Sequence, residues 1–344
     1  MKAAVRWLLD LCFALRPLLW IPAIALFAAG ATGRVGVPDL AGGLEAGDSS
    51  RALPGSTAVA LGSLVLLLGA VHAANAWRDR AGDRVNRKGR AVASGAISGR
   101  ALAIAGGCSA AAAFVLAMHP SVAPASRALL TAGAILGAAY VVPRMEWKRR
   151  AGWDLLSHGL GYGVVAFLLG ASAAGSIAPS VAAWARAVIA AAPFAAGICA
   201  VALVTMIADS EGDRAVGQRT LAVRLGDRGA WRLARAFAWA SSLGGLLVGA
   251  WVPALWGLLA GTVLSLQEFE GKDAANRCAI LLQVAFVALL LPRAPGVALL
   301  AVGIAALASA YGAWRWGEGY PWNRIGGLDV ARGARRPDVS ARRA

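Results

Sequence analysis

Two acidic stretches carry residue types at a spacing that could do chemistry. In NAWRDRAGDRVNR, residues 75 to 87, Asn75, Asp79 and Asp83 recur every four residues. On a helix they fall within ~80° of one another and climb ~6 Å per step, forming one polar stripe. In ADSEGDRAVGQRTLAVRLG, residues 208 to 226, Asp209 and Asp213 are again four apart and again followed by arginines, here Arg214, Arg219 and Arg224. Each stretch closes an apolar run. Ionisable groups at membrane depth are expensive and usually line a polar cavity or bind an ion. Clustered carboxylates repel one another unless something cationic sits between them. Carboxylates pointing inward from two helices, with basic residues in the following loops, suit hard divalent cations that bridge them to a phosphate-bearing ligand. Mg²⁺ prefers this arrangement, keeping waters and taking one or two carboxylates plus phosphate oxygens. Arg and Lys can complete the phosphate shell. The expected ligand is an anionic headgroup held at the mouth of a helix bundle, with an apolar tail running between the helices.

The elements that position these stripes are long apolar helices. The chain has 344 residues, of which 58% are hydrophobic and 15% charged, and its apolar runs are longer than a soluble domain needs. They lie near 17–31, 56–76, 100–118, 127–143, 155–172, 185–208, 231–249, 250–266, 278–292 and 296–314, each long enough to cross or nearly cross ~30 Å of hydrocarbon as a helix. The fold class is therefore all-α, a polytopic membrane helical bundle. Only Trp251 and Pro253 mark a turn inside 231–266; as one span, that run would break the parity of the count.

A net charge of +16 invites a nucleic-acid partner, but the placement of the basic residues argues against one. Alternate connections hold 29 of the 34 Lys and Arg, leaving Arg34, Arg51, Arg127, Arg186 and Arg293 for the other side. The positive-inside rule then places both termini, and both acidic stripes, at the cytoplasmic face. Lys2 and Arg6 precede an apolar stretch as in a secretory signal, yet Asp10 and Arg16 interrupt it, which favours an uncleaved first helix. Cys12, Cys108, Cys199 and Cys278 have no ligand-spaced companions and read as small apolar fillers. Most of the 13 tryptophans suit interfacial belts. Residues 1–316 form one membrane domain, and 317–344, basic and without apolar periodicity, a disordered cytoplasmic tail suited to anionic lipid.

Taken together, N-x-x-x-D-x-x-x-D at Asn75, Asp79 and Asp83 and D-x-E-G-D-R-x-x-G-x-x-T-L-x-V-x-L-G at Asp209 to Gly226 resemble the paired signatures of the UbiA superfamily of intramembrane prenyltransferases. Asn86, Arg90, Ser94 and Gly95 in NRKGRAVASGAIS resemble that family's N-x-x-x-R-P-x-x-S-G connection. Arg16-Pro17 resembles its opening, and YVVPRMEWKRR, 140 to 150, its Y-x-x-P-x-x-x-K-R connection with one extra residue. The resemblance covers roughly residues 10 to 270. Ala76 stands where the family often has Asp, Ala91 where it usually has Pro, and Thr205 where many members with aromatic acceptors have Tyr. Isoprenoid or other lipid acceptors fit these departures better than aromatic acids or quinone precursors do. The superfamily is typically described with nine spans, so about nine or ten are expected.

The resemblance implies transfer of a prenyl group from a polyprenyl diphosphate to a hydrophobic acceptor in the membrane, with Mg²⁺ as cofactor and Mn²⁺ as a substitute. Asp79, Asp83, Asp209 and Asp213 would hold the metal, a Lewis acid for the departing diphosphate. Asn75 would orient a water on the metal or a phosphate oxygen, while Arg90 and Lys148, with Arg149 as a weaker candidate, hold diphosphate oxygens. Tyr140 and Tyr162 could stabilise the allylic cation through their π faces. His72, one turn before Asn75, and His158 could contact substrate or relay a proton, though a hydrogen-bonded structural histidine is the commoner case. The alternative class is a non-catalytic carrier or transporter of lipid phosphates with the same acidic mouth. Transporters place broken helices near mid-membrane in corresponding halves, whereas both acidic motifs here sit at cytoplasmic helix ends.

Overall fold

The apolar runs fold as helices packed side by side. The computed structural model describes residues 3–32, 55–86, 88–267, 269, 271–290 and 294–316, with only the main chain of Arg90. In chain order these form α1 (Ala3–Ala14), a 3₁₀ turn (Pro17–Trp20), α2 (Ile21–Ala31), α3 (Gly55–Val85), the short α4 (Arg90–Ala93), α5 (Gly99–Ala117) and α6 (Pro124–Val141). A second 3₁₀ turn (Trp147–Arg149) precedes α7 (Trp153–His158), a π-helical stretch (Gly159–Val165) and α8 (Ala166–Ala173). Then come α9 (Val181–Ala215), α10 (Leu221–Leu247), α11 (Trp251–Leu266), α12 (Lys272–Leu290) and α13 (Pro295–Trp316). Among the described residues there is no strand. One isolated bridge, Arg150 with Arg219, joins the loop before α7 to the loop before α10. The expected tail, 317–344, and Arg34, Arg51 and Arg293 lie outside the described residues.

The ten expected spans fall on ten helical rods, with the 3₁₀ turn and α2 forming one and α7 through α8 another. Seven stretches are long and apolar enough to cross a membrane by length and composition, the first of them, Ala3–Ala31, joining α1 to the 3₁₀ turn and α2. The shorter apolar α11, with α6 and α10, completes the set. The run 231–266 is two helices: Gly249, at φ +68, turns the chain between them. Ser242 then donates to the Ala254 carbonyl at 2.9 Å, and Trp231 donates its indole N–H to the Leu264 carbonyl at 3.1 Å. Buried polar groups in lipid need such partners.

Small residues set the closest approaches. Where α2 crosses α8, a Cβ on Gly30 would overlap the Phe167 carbonyl oxygen, and one on Gly170 would overlap the carbonyl oxygen of Phe27. The two backbones touch there, next to the stacked Phe167 and Phe194, 5.3 Å apart. Ser98 and Ser180 cap α5 and α9 by accepting from the N–H of Ala101 and Ala183, satisfying amides a helix start leaves free. Cys199 and Cys278 are buried as expected of fillers, but Cys12 and Cys108 lie on the outer surface. In a membrane that surface is itself apolar, so a small apolar side chain has no need of the interior.

Candidate active site

The last turns of α3 carry Asn75, Asp79 and Asp83, and those of α9 carry Asp209 and Asp213. What brings the two rows together is a backbone contact: a Cβ on Gly212 would stand 2.6 Å from the Gly82 carbonyl oxygen. Asn86 fastens the junction, donating its amide to the Asp209 carbonyl at 3.1 Å and accepting from the Gly212 N–H at 2.9 Å. The spacing between the acidic motifs is thus fixed by main chain.

Cations from three loops cover the carboxylates. Lys148, 3% exposed in the turn after α6, donates to Asn75 Oδ1 at 2.9 Å and to Asp79 Oδ1 at 2.5 Å. Burial pushes its ammonium below the ordinary lysine pKa, and the Asp79 charge opposes that shift. Lys88 pairs with Asp209, and Arg16 with Asp83. Arg16 reaches Asp83 from a left-handed backbone conformation, φ 56, just before Pro17, a placement uncommon outside glycine. Asp213 accepts from the Thr220 hydroxyl at 3.2 Å, and the Gln218 amide stands 3.5 Å from Asp79 Oδ1.

Behind this polar mouth opens a chamber of about 1310 Å³. Leu64, Leu68, Val71, Leu136, Ile198 and Val287 contribute apolar wall. A ring cluster of His72, Tyr140, His158 and Tyr162 lines the same chamber. The Tyr162 hydroxyl and His72 Nε2 are 2.8 Å apart, and Tyr162 stacks on His158 with centroids 5.9 Å apart and planes 10° apart. Tyr140 meets His158 edge-on at 5.4 Å. His158 Nδ1 lies 2.8 Å from the Asp154 carbonyl. The Asp154 carboxylate accepts main-chain N–H groups of Gly152 at 2.9 Å, Leu155 at 2.8 Å and Leu221 at 2.8 Å, tying the start of α7 to that of α10.

Of the residues singled out from sequence, Asn75, Asp79, Asp83, Lys148, Tyr140, Tyr162, Asp209 and Asp213 all line this chamber. Arg149 instead pairs with Glu146 at 3.2 Å and is not among the lining residues. The side chain of Arg90 lies outside the described residues. Sequence reasoning missed Lys88, Gln218, Thr220 and Asp154 as site residues, and Arg16 except as half of the Arg16-Pro17 pair. For Arg16 that pair was the available signal, since proline disfavours a helical residue before it.

Among the described residues no three His, Cys, Asp or Glu side chains converge as a ready-made metal site. The donor chemistry still fits Mg²⁺. Two facing carboxylate rows, with cations from loops beside them, suit an ion that completes its shell with water and phosphate oxygens.

The family model described as the UbiA prenyltransferase family matches residues 35–270. No curated protein sequence matches the chain. A solved UbiA homolog from Archaeoglobus fulgidus bound to DMAPP and Mg²⁺ superposes with a TM-score of 0.60 at 16% identity, over 82% of this chain and 99% of the other. The same homolog bound to GPP and Mg²⁺ gives the same values. A structure concerned with digeranylgeranylglyceryl phosphate synthase in membranes gives 0.57 at 16% identity, over 87% of this chain and 99% of that one. The fold is shared with these helical membrane proteins, and the matched residues take in both acidic motifs, the loop that carries Lys148, and seven of the ten rods, from α3 through α11, so this multi-pass membrane chain belongs to the UbiA prenyltransferase family.

Proposed function

We propose that the protein transfers a prenyl group from a polyprenyl diphosphate to a lipophilic acceptor, with Mg²⁺ and, as a substitute, Mn²⁺. The observation that carries this reading is the polarity of one chamber: two carboxylate rows and their loop cations at one end, apolar wall beyond. That division matches a molecule with a diphosphate head and a hydrocarbon tail. Asp79, Asp83, Asp209 and Asp213 are the residues that would hold the metal. When bound, the metal supplies Lewis-acid stabilisation of charge gathering on the departing diphosphate.

The chain's own groups do the rest. Lys148 already reaches Asn75 and Asp79, so a short movement takes its ammonium to a phosphate oxygen. Lys88, which lines the same chamber, can do likewise, and Arg90 is kept as a diphosphate contact on the strength of the loop motif that carries it. Arg149 is reserved as a peripheral contact because of its pairing with Glu146. The apolar wall keeps water from the allylic cation, and the faces of Tyr140 and Tyr162 offer it π density.

A lipid or isoprenoid acceptor is favoured by Thr205 in the chamber wall, where many aromatic-acceptor members of the family have Tyr. A solved neighbour concerned with digeranylgeranylglyceryl phosphate synthase supports the same preference. The mouth and both termini are assigned to the cytoplasm, a placement supported by the segregation of basic residues and by the even number of rods among the described residues. A carboxy-terminal reporter should therefore be accessible from the cytoplasmic side alone. External labelling of that reporter would refute the orientation.

The deciding experiment incubates purified protein with Mg²⁺, a panel of prenyl diphosphates and membrane lipid extract. Mass spectrometry reads added multiples of C5, and a phosphate assay reads released diphosphate. Donor binding without diphosphate release by folded protein would replace the enzyme with a lipid-phosphate carrier.

A further inference from the structure

We propose that His72, backed by Tyr162, is the base that takes a proton from a hydroxyl-bearing lipid acceptor. This rests on the prenyl-transfer reading and adds both a catalytic residue and an acceptor chemistry. The acidic stripe of α3 does not end at Asn75. His72 lies seven residues before Asp79, which returns to within ~20° of the same helix face and ~10 Å further from the mouth. It therefore stands where the first carbon atoms of a donor would lie if its diphosphate is held at the level of Asn75 and Asp79. His72 is 7% exposed, and what exposure it has faces the chamber.

The two histidines are held differently. His158 is tied to main chain: the Asp154 carbonyl can only accept, so His158 Nδ1 carries the hydrogen. His72 instead meets the hydroxyl of another chamber-lining side chain, with Tyr162 Oη 2.8 Å from His72 Nε2. A hydroxyl can either donate or accept, so this pair can pass a proton where the His158 contact cannot. The stack of Tyr162 on His158 holds the phenol in place. Charged and titratable groups facing His72 from the surrounding elements are Arg16 from the turn before α2, Tyr162 and His158 from the α7 to α8 rod, and Tyr140 beyond His158.

The step balances without a further reactant. The bond from the allylic carbon to the diphosphate oxygen breaks, and its electron pair leaves with diphosphate. A lone pair of the acceptor oxygen forms the new carbon–oxygen bond. The acceptor's hydroxyl proton passes to His72, directly or through Tyr162, which gives its own proton to Nε2 as it receives the acceptor's. The imidazolium returns its proton to water when products leave.

The test compares His72→Gln and Tyr162→Phe with the wild type, reading product, diphosphate release and Mg²⁺-dependent binding of a non-ionising thiolodiphosphate analogue of the donor. His72→Gln should lose about 10²-fold or more in transfer rate, bind the analogue within threefold of wild type, and lose the fall in rate at low pH that protonation of His72 imposes. Tyr162→Phe should lose roughly tenfold and shift that limb, a readout packing alone would not move. Transfer by His72→Gln within threefold of wild type overturns the proposal. If that variant does not fold, an unchanged rate and pH profile in Tyr162→Phe overturns it equally. Wild-type protein that binds the analogue but forms no product overturns the prenyl-transfer reading and this proposal with it.

Discussion

The acidic mouth and the seam between α1 and α13 both bury carboxylates, and they treat them in opposite ways. At the seam Asp10, 3% exposed, receives Tyr311 Oη at 2.6 Å and a two-pronged Arg315 guanidinium at 2.9 and 3.1 Å. Phe13 stacks on Tyr311 beside it at 4.0 Å. Every donor comes from a helix, and the planar guanidinium matches the carboxylate edge to edge. At the mouth, Asp79, Asp83 and Asp209 are met by Lys148, Arg16 and Lys88, all from loops or turns. Two of those three are lysines, point charges on flexible stems. A structural carboxylate has donors that cannot leave; a working one has donors that can be handed to a ligand.

Removing metal should break the comparison most sharply. Excess EDTA should abolish product formation, since without metal the loop cations stay paired with the carboxylates and no bridging charge joins those carboxylates to the diphosphate. The α1–α13 seam, and with it thermal unfolding of the apoprotein in detergent, should change little. Full turnover in EDTA would remove the mouth from the mechanism.

Next in size are Asp79→Asn and Asp209→Asn. Each should cost on the order of 10²–10³ in the rate of diphosphate release. Because Asn86 and the Gly82–Gly212 contact make the two rows one assembly, the double variant should lose far less than the product of the single losses. Multiplicative losses would mean two independent sites. Lys148→Met should be milder, roughly tenfold to a hundredfold and mainly in donor KM, as expected for one charge-assisted hydrogen bond. An unchanged KM would leave Lys148 as a structural partner of Asp79. Asp10→Asn should invert the pattern, with turnover of folded protein within threefold of wild type and stability lower by about 1–3 kcal/mol. Equal damage to turnover would show that the seam shapes the chamber.

Helices and motifs were legible in sequence; partners were not. The apolar runs had the length of spans, and all ten fell on rods, because burial in lipid permits little else. The four-residue spacing of the aspartates survives directly as helix geometry. Even the turn within 231–266 was signalled by Trp251 and Pro253, although Gly249 makes it. Loop cations are another matter. Positive-inside charge explains Lys88, Lys148 and Arg149 equally well, and only tertiary contact separates the first two, on Asp209 and Asp79, from the third, on Glu146. Asp154 was invisible for a similar reason: its role depends on Leu221, 67 residues away.

The π-helical stretch at Gly159–Val165 has a consequence for how the chain tolerates insertion and deletion. Such a turn holds about one residue more than an α turn, and here it divides a rod that docks twice. On one side Asp154 is bound to the start of α10, and on the other Gly170 lies against the Phe27 carbonyl. Deleting one residue from the stretch would give a smoother helix and rotate its halves by ~100°. Either Asp154 would leave Leu221 or a side chain would be driven into the α2 backbone. The wide turn acts as a phase adjuster, letting one continuous rod meet two faces that no regular helix of this sequence could meet together.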